Sequence, residues 1–501
     1  MEKRAMTRRR FLSGALVGAA GAALAACAVT PQVVEKEVEK VVKETVIVKE
    51  TVVVEKEVPV AKEGPVQIEL WWAVGPEQEA CVRVFQEKHP DIVVDLVDLG
   101  EAVYGTPKFT TAVAAGRGPD VAYQNRHTFQ QFSARGLYLA LDDFMQRDGY
   151  SVEDFPAEQM KALSWEGLVY GLPYEVGTYM FFWNRAHFGE VGLNPDEPPK
   201  TWDEIELFTD KLTIKSNGQF QRFGFIPSFP PGLRDKILTI ALTNGADTMD
   251  ESGRKSMLGT DEWIEALDWM VRFTDEYCGG FETATGGMQA FAGQAQDMFA
   301  SGTISMSSYG AWMIGHYAAF PELEYDGTPI MPVASHLLGR KINWVCDWSF
   351  AMTPKKGGHP EEGWTLVKFL IGPDAYDARA GIGMELSRER WKREGLPGEP
   401  LFYAQPPAYK ASRQWMVENI YSKYPDRQRN MAELVADTAE WGRECGILGG
   451  LAATELWVEI ANAQEAALAH TLTPKEAMLA AASNHQRALD EAWEKLAQEK
   501  G

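Results

Sequence analysis

The stretch GLVYGLPYEVGTYMFFWNRAHFGEVGL (residues 167–193) carries the most distinctive pattern in the chain. A Tyr-Gly-Leu-Pro segment leads into an aromatic and apolar run that ends at Asn184, which is typical of a β-strand. The segment PPKTWDEIELFTDKL (198–212) then predicts a helix on which Trp202 has the spacing of a packing residue. Together they predict one strand-and-helix unit of an α/β fold.

The segments on the amino-terminal side repeat this alternation. VQIELWW (66–72) predicts a strand, PEQEACVRVFQEKHP (76–90) has helical spacing, and DIVVDLVDL (91–99) predicts a second strand. A strand-helix-strand unit implies a parallel sheet. A further helix and the strand DVAYQ (120–124) follow, and the alternation persists to about residue 360.

Long amphipathic helices dominate after residue 360. PEEGWTLVKFLIGPDAYDARA (360–380) is predicted to be helical, with Trp364 in a packing position. The last helix is predicted to start at Thr473 as cap, with Pro474 at the first helical position and the early acid Glu476.

The first 27 residues have the pattern of an export signal. TRRRFLSGALVGAAGAALAAC (7–27) has a basic start, a short apolar region and a site of small residues ending at Cys27. The apolar run is too short for a membrane span. Residues 7–27 resemble a twin-arginine signal followed by a lipobox. This resemblance would make Cys27 the lipidated first residue of an extracytoplasmic, membrane-anchored protein. The alternative is an ordinary cleaved signal with a chance cysteine.

Residues 28–64 are predicted to form a tether between this signal and the first strand. QVVEKEVEKVVKETVIVKETVVVEKEV (32–58) is built almost wholly from Val, Glu, Lys and Thr. Valines at spacings of four and three favour a short coiled coil. Their β-branched side chains and the shortness of the repeat favour an extended chain instead, and both conformations stay open.

Composition and motifs exclude several functions. The chain has 49 basic and 71 acidic residues, a net charge of −22, which disfavours nucleic acid as a partner. It has no His-Glu-x-x-His, no phosphate-binding P-loop, no Gly-x-Gly-x-x-Gly after a strand and no Gly-x-Ser-x-Gly, so no metal or cofactor is indicated. Apart from Cys27 there are four cysteines, which permit zero, one or two disulfides in three full pairings: Cys81, Cys278, Cys346 and Cys445.

Several segments, in order, resemble the extracellular solute-binding proteins of carbohydrate-type ABC importers, the maltose-binding-like family. Besides residues 167–212, they are AVAAGRGPDVAY (112–123), ARGLYLALDDFM (134–145), FASGTISMSSYGAWMIG (299–315) and DWSFAMTPKKGGHPEEGWTLVKFLIGPDA (347–375). The chain departs from the family pattern at CDWSF (346–350) and GMELSRER (383–390), which concerns ligand contacts rather than fold.

The resemblance implies two α/β lobes joined by a hinge, the Venus-flytrap fold of type II periplasmic binding proteins, with a ligand in the cleft between them. We assign residues 65–175 and about 344–400 to lobe 1, and residues 176–343 and about 401–501 to lobe 2. A membrane permease would recognise the closed form that a ligand stabilises.

A sugar needs aromatic platforms and planar polar groups, and ligand sites lie beyond the carboxyl ends of strands. Of the adjacent Trp71 and Trp72, which point to opposite faces of the strand, we assign Trp72 to the cleft. The predicted ligand-binding residues are Trp72, Asn125, Arg126, Tyr174, Glu175, Tyr309, Trp312, Asp347 and Trp348. No basic cluster is visible near them in the sequence, so we expect an oligosaccharide rather than a ligand that carries a phosphate.

Two alternatives belong to other classes of protein. A surface glycosidase would use two carboxylates such as Glu175 and Asp347, about 5 to 9 Å apart. A structural lipoprotein would bind no small molecule. No catalytic motif supports the first, so we expect a binding protein without enzymatic activity.

Overall fold

The computed structural model describes residues 64–98, 100, 107–229, 235–290, 298–320, 322–345, 348–396, 400–443 and 450–500. The signal with Cys27, the tether up to residue 63, Cys346, Asp347 and Cys445 lie outside these residues.

Strands and helices alternate in the first half of the described chain, and helices prevail in the second. The strands are β1 (Val66–Trp72), β2 (Ile92–Asp98), β3 (Val121–Asn125), β4 (Ser164–Trp165), β5 (Leu168–Val169), β6 (Leu172–Pro173), β7 (Tyr179–Asn184), β8 (Ile214–Ser216), β9 (Gln219–Arg222), β10 (Met306–Gly310), β11 (Tyr325–Thr328) and β12 (Trp348–Met352). The helices are α1 (Pro76–Lys88), α2 (Pro107–Ala114), α3 (Phe129–Ser133), α4 (Asp142–Asp148), α5 (Ala157–Ala162), α6 (Arg185–Glu190), α7 (Trp202–Leu212), α8 (Asp235–Thr243), α9 (Asp261–Cys278), α10 (Phe281–Ala290), α11 (Met313–Tyr317), α12 (Pro360–Ile371), α13 (Pro373–Glu394), α14 (Lys410–Asn419), α15 (Asp426–Trp441), α16 (Ala453–Leu468) and α17 (Pro474–Lys500).

The first sheet has the strand order β2-β1-β3-β12-β6. β1 runs parallel to β2 and β3, which confirms the parallel sheet predicted from the strand-helix-strand unit. β12 runs antiparallel to β3 and pairs Trp348 with Asn125. The antiparallel pairing brings the start of β12 to the edge where β3 ends, so residues far apart in sequence meet there.

The second sheet has the order β10-β7-β11, and both pairings are antiparallel. Its central strand β7 is the aromatic run of the opening stretch, and all six of its residues are buried. A strand buried on both faces needs apolar partners on each side, and two of these are Tyr317 of α11 against Phe182 and Phe225 against Phe181. Tyr179 at the start of β7 pairs with Gly310 at the end of β10.

Hydrogen bonds join the segments that connect the two sheets to each other and to a neighbouring loop. The connecting segments are residues 174–178 and 343–345, and the loop is residues 404–408 between α13 and α14. The Val176 N–H donates to the Pro406 carbonyl oxygen at 2.7 Å. The Thr178 hydroxyl donates to the Trp344 carbonyl oxygen at 2.8 Å. The connections between the sheets are therefore held by hydrogen bonds as well as by the covalent chain.

The helix predicted over residues 360–380 is divided in two. α12 ends at Ile371, Gly372 has an extended backbone, and α13 starts at Pro373. Proline lacks the N–H that would continue the hydrogen-bond ladder and its ring clashes with the preceding turn. Trp364 on α12 and Trp202 on α7 are both buried, which confirms their assignment to packing.

The last helix begins as predicted, with a capping box. The Thr473 hydroxyl accepts from the Glu476 N–H at 3.2 Å, and the Glu476 carboxylate accepts from the Thr473 N–H at 3.0 Å. α16 and α17 pack against each other and against α9. None of the helices in the described residues is long and apolar enough to cross a membrane.

Candidate functional site

An aromatic cluster lies at the edge of the first sheet where β1 and β3 end. Tyr123 stacks on Trp348 with ring centroids 5.2 Å apart and planes 16° apart. The Trp72 ring meets the Tyr174 ring edge to face at 5.6 Å and is only 2% exposed. Trp348 is only half-buried. Trp348 is therefore partly accessible to solvent, whereas Trp72 is buried against the other rings of the cluster.

Arg126 follows this cluster in a short 3-10 turn. The Asn125 side-chain oxygen accepts from the His127 N–H at 3.3 Å and caps the turn. The Arg126 guanidinium lies over the Trp344 ring, 4.9 Å from its centroid. Trp344 belongs to a segment that connects the sheets, so this contact links the first sheet to the connecting bundle.

A second group of rings lies at the second sheet, and we call its members Trp344, Tyr179, Tyr309 and Trp312 the aromatic row. Tyr179 is the central ring of this row. It meets Trp344 edge to face at 5.1 Å. On α8, the Lys236 ammonium lies 4.4 Å from the Tyr179 ring centroid and 5.3 Å from that of Tyr309. It donates a hydrogen bond to the Ser308 carbonyl oxygen. A lysine is thus held among tyrosine rings at the end of the second sheet.

Trp312 is the most exposed aromatic residue of this row, with 46% of its surface accessible. Its ring meets Tyr309 at 5.4 Å and Tyr179 at 6.3 Å. It also lies over Gly310, where an added Cβ would come within 2.0 Å of the ring. The glycine two residues earlier therefore permits the position of the tryptophan.

Glu175 and Tyr174 belong to a buried polar network beneath the aromatic row. One Glu175 carboxylate oxygen accepts from Arg379 and the other from the Gln405 side chain at 3.2 Å. Arg379 also donates to the Tyr174 hydroxyl at 2.7 Å. Burial raises the pKa of Glu175 above its ordinary value, and Arg379 offsets part of that rise. Both carboxylate oxygens are occupied by protein donors.

The carboxyl-terminal helices cover the Arg126 turn. His127 packs against Trp457 of α16 with ring centroids 5.5 Å apart. Burial, and to a lesser degree Arg126, lowers the pKa of His127 to about 3. Because α16 also packs on α8 and α9, this contact links the turn after β3 of the first sheet to the helices that follow β7 in the chain.

The comparison with known families decides the class of protein. The family model for the bacterial extracellular solute-binding proteins matches residues 64–377.

The chain belongs to this family.

Two curated members share part of its sequence. A mannitol-binding protein of Pseudomonas aeruginosa is 28% identical over 199 residues, 39% of this chain and 44% of that protein. A maltotriose-binding protein of Pyrococcus abyssi is 23% identical over 222 residues, 44% of each chain. This solute-binding protein thus spans less than half the length of these curated relatives.

Solved structures of similar proteins establish the fold of this solute-binding protein. CpMnBP1, solved with mannotriose bound, superposes with a TM-score of 0.65 at 23% identity, over 84% of this chain and 100% of that one. An ABC transporter solute-binding protein from Thermotoga lettingae TMO, bound to tagatose, gives 0.64 at 19% identity, over 85% and 100%. The fold is the two-lobe α/β fold. The strands of the two sheets fall within the predicted ranges of lobe 1 and lobe 2, and the lobe boundaries stay a prediction.

The structure places the predicted ligand residues of this solute-binding protein, Asp347 excepted, in two groups and a connecting segment. They are Trp72, Asn125, Arg126 and Trp348 at the first sheet, Tyr174 and Glu175 in a connecting segment, and Tyr309 and Trp312 at the second sheet. Asp347 lies outside the described residues. Ligand contact by each of them stays a prediction.

Sequence reasoning missed Tyr123, Tyr179, Lys236 and Trp344. Tyr123 and Tyr179 lie within predicted strands rather than beyond their carboxyl ends. Trp344 lies four residues before β12, and an aromatic residue in a connection between lobes was the available signal. Lys236 had no signal, because only the packing of α8 on the second sheet brings it to the row.

The remaining titratable clusters carry no evident chemistry. In the described residues no group of His, Cys, Asp and Glu side chains is arranged to hold a metal ion. Cys81 and Cys278 are buried free thiols, and burial raises the pKa of each to about 12. Any disulfide of Cys346 or Cys445 concerns residues outside the described ones.

Proposed function

We propose that this protein is the substrate-binding lipoprotein of an ABC importer. It captures a sugar or oligosaccharide in the cleft between its lobes and delivers it to a membrane permease. The observation that carries the proposal is the exposed Trp312 ring at the second sheet, which lies against the rings of Tyr179 and Tyr309.

Aromatic rings of this kind suit a saccharide. Ring faces pack against the apolar C–H faces of sugars, and the polar rim supplies hydrogen bonds to hydroxyls. A ligand that contacts both lobes binds the closed form better than the open one, and this difference alone can shift the population towards closure. The mannitol and maltotriose bound by curated relatives support this class of substrate.

The chain's own features support membrane attachment. The signal that ends at Cys27 would place a lipid on the first residue of the mature protein, and residues 28–64 would tether the binding domain. Such a tether holds the domain near the permease while it samples the medium.

The glycosidase alternative is weakened by the network around Glu175. A catalytic carboxylate must reach the scissile bond. Both oxygens of Glu175 accept from Arg379 and Gln405 instead, and its side chain is buried. We therefore propose no enzymatic activity.

Thermal denaturation of the full-length protein with a panel of saccharides and polyols tests the proposal. A ligand at one hundred times its Kd should stabilise the folded state by about 2.7 kcal/mol. Chromatography of the same mixtures should recover every saccharide intact. Hydrolysed products would favour the glycosidase, and a panel without any shift would favour the structural lipoprotein.

A further inference from the structure

A cavity of about 220 Å³ borders the exposed ring of Trp312. Its walls come from three segments, which are Trp312 with α11, the last turns of α13, and residues 401–403. The polar and aromatic side chains that line it are Trp312, His316, Ser387, Arg390, Trp391 and Tyr403. Because we place the saccharide against the Trp312 ring, this cavity is space that a bound sugar can occupy.

Two glycines bring the walls of the cavity together. Gly383 of α13 lies against the Phe402 ring, and an added Cβ there would come within 2.3 Å of the ring. Gly315 of α11 lies against Tyr403, and a Cβ there would come within 2.9 Å of the Tyr403 Cβ. Residues 401–403 therefore contact both helices and form the wall that joins them.

One face of α13 borders the cavity. Ser387, Arg390 and Trp391 all line it, and their spacing of three and four residues places them on the same side of the helix. Trp391 is buried, whereas Ser387 is half-buried and Arg390 is exposed. Ser387 and Arg390 lie within GMELSRER (383–390), where the sequence departs from the family pattern. The departure therefore falls at the wall of this cavity.

These side chains suit a sugar unit. Trp312 supplies an aromatic surface for the apolar C–H face of a sugar ring. The Ser387 hydroxyl can both donate and accept, and the Arg390 guanidinium is a planar group of five N–H donors. The Arg390 Nε–H donates to both Glu394 carboxylate oxygens at 3.2 Å, so the charge of Arg390 is offset within α13. The cavity therefore offers hydrogen bonds to hydroxyls and does not require an anionic ligand.

The volume of the cavity limits what it can hold. Pockets that enclose a whole small ligand measure about 300 to 1,000 Å³, and this cavity is smaller. It therefore suits one unit of a longer saccharide. By the predicted lobe boundaries α13 belongs to lobe 1 and Trp312 to lobe 2, so a sugar unit in the cavity would contact both lobes.

Resting on the function proposed above, we propose that this cavity is a subsite for one sugar unit of an oligosaccharide. The Trp312 ring packs against the sugar ring, and Ser387 and Arg390 of α13 bind its hydroxyls. The difference between this chain and the family pattern at residues 383–390 is then a difference in which saccharides bind.

Calorimetric titration of the full-length protein with two series of saccharides tests the length of the ligand. One series is mannose, mannobiose and mannotriose, and the other is glucose, maltose and maltotriose. We expect the longer members of one series to bind at least about tenfold more tightly than its monosaccharide, because a single unit leaves part of the site unfilled. A monosaccharide that binds as tightly as its trisaccharide would overturn the inference and leave the proposed function standing.

Substitutions on α13 locate the subsite. Arg390→Met should weaken binding of the tightest member about tenfold, since it removes hydrogen bonds from a charged donor. Ser387→Phe should weaken it further, because the added ring would fill the cavity. Arg388→Met is the matched control, an exposed arginine of the same helix that is not among the residues that line the cavity. Glu394→Gln removes the partner of Arg390 but keeps the guanidinium, so its affinity should not change.

The outcomes separate the subsite from the proposed function. Unchanged affinity in both Arg390→Met and Ser387→Phe would overturn the subsite and leave the proposed function standing. An equal loss in Arg388→Met would overturn it too, because the effect would then belong to the charge of the helix. If no member of either series binds to the unsubstituted protein, the proposed function falls and the subsite with it. Circular dichroism checks that each variant is folded, and the exposed Arg390 keeps the test independent of the half-buried Ser387.

Discussion

Gly310 and Trp312 show how one small residue sets the geometry of a proposed binding surface. Gly310 ends β10, and the Trp312 ring folds back over it. A side chain larger than glycine at position 310 is incompatible with this position of the Trp312 ring, because packed atoms leave no free space and the Cβ would overlap the ring.

Gly310→Ala should therefore displace Trp312 and weaken saccharide binding. The added Cβ would lie 2.0 Å from the ring, far inside contact distance. We expect a loss of about tenfold or more in affinity by calorimetry. Gly381→Ala is the control, because a Cβ there meets nothing within 4 Å and alanine is the better helix former. Unchanged affinity in Gly310→Ala would show that the ring position does not matter.

Glu175 is expected to act on stability rather than on chemistry. Glu175→Gln keeps the shape but leaves Arg379 without its buried carboxylate partner. Breaking a buried ion pair by removing one partner typically costs about 3 to 5 kcal/mol. Urea denaturation should reveal this loss, whereas Glu394→Gln, which breaks the exposed pair with Arg390, should leave the midpoint unchanged. A glycosidase would instead lose hydrolysis while keeping its stability.

The contact of the predicted residues with a ligand stays a prediction, but their places along the strands can be compared with it. Asn125 ends β3, Trp312 follows the end of β10 by two residues, and Trp348 begins β12 rather than following its carboxyl end. Alternation along β1 indicates that Trp71 and Trp72 point to opposite faces of the sheet, but it does not indicate which face is covered. We assigned Trp72 to the cleft on this pattern, and the structure buries both side chains.

The elements follow the sequence closely where local signals agree. β1 spans the predicted residues 66–72, and the final helix starts at the predicted cap. The break between α12 and α13 was missed, although Gly372 and Pro373 carry a local signal for it, because the apolar periodicity continues across both residues.

The Arg126–Thr128 turn against α16 predicts a pH dependence of stability. The pKa of His127 falls to about 3 in the folded protein from about 6.5 when unfolded, so the unfolded state binds more protons below pH 6.5. The contribution of His127 is complete above pH 6.5 and is lost as the pH falls, by about 1 to 2 kcal/mol at pH 5.

Urea denaturation at several pH values checks this expectation. His127→Gln should flatten the decline between pH 6.5 and 5, while His359→Gln, which changes an exposed histidine, should leave it as it is. An identical decline in both variants would mean that other groups cause it.

At the scale of the whole molecule, the two sheets are linked by more than one set of contacts. The connecting segments are hydrogen-bonded, and α16 packs on the Arg126 turn beside them. The order of motifs sufficed to predict the two-lobe fold, while the lobe boundaries stay a prediction. It could not reveal the row from Arg126 through Trp344 and Tyr179 to Lys236, because these residues meet only through tertiary packing.

Membrane attachment through Cys27 gives a further prediction. Cys27→Ser removes the thiol that would carry the lipid, so the protein should move from the membrane fraction to the soluble fraction of the cells that express it. Ligand affinity should not change. Retention in the membrane fraction would contradict the lipid anchor, and mass spectrometry of the mature amino terminus provides an independent check.

The central claim is that a saccharide binds against the exposed ring of Trp312. The most direct test is calorimetric titration of the full-length protein and of Trp312→Ala with the saccharide that stabilises the protein most, with Trp415→Ala as a control on α14. The account predicts that Trp312→Ala loses binding while it keeps the circular dichroism spectrum of the unsubstituted protein, and that Trp415→Ala binds normally. Equal affinity in Trp312→Ala and the unsubstituted protein would contradict the account.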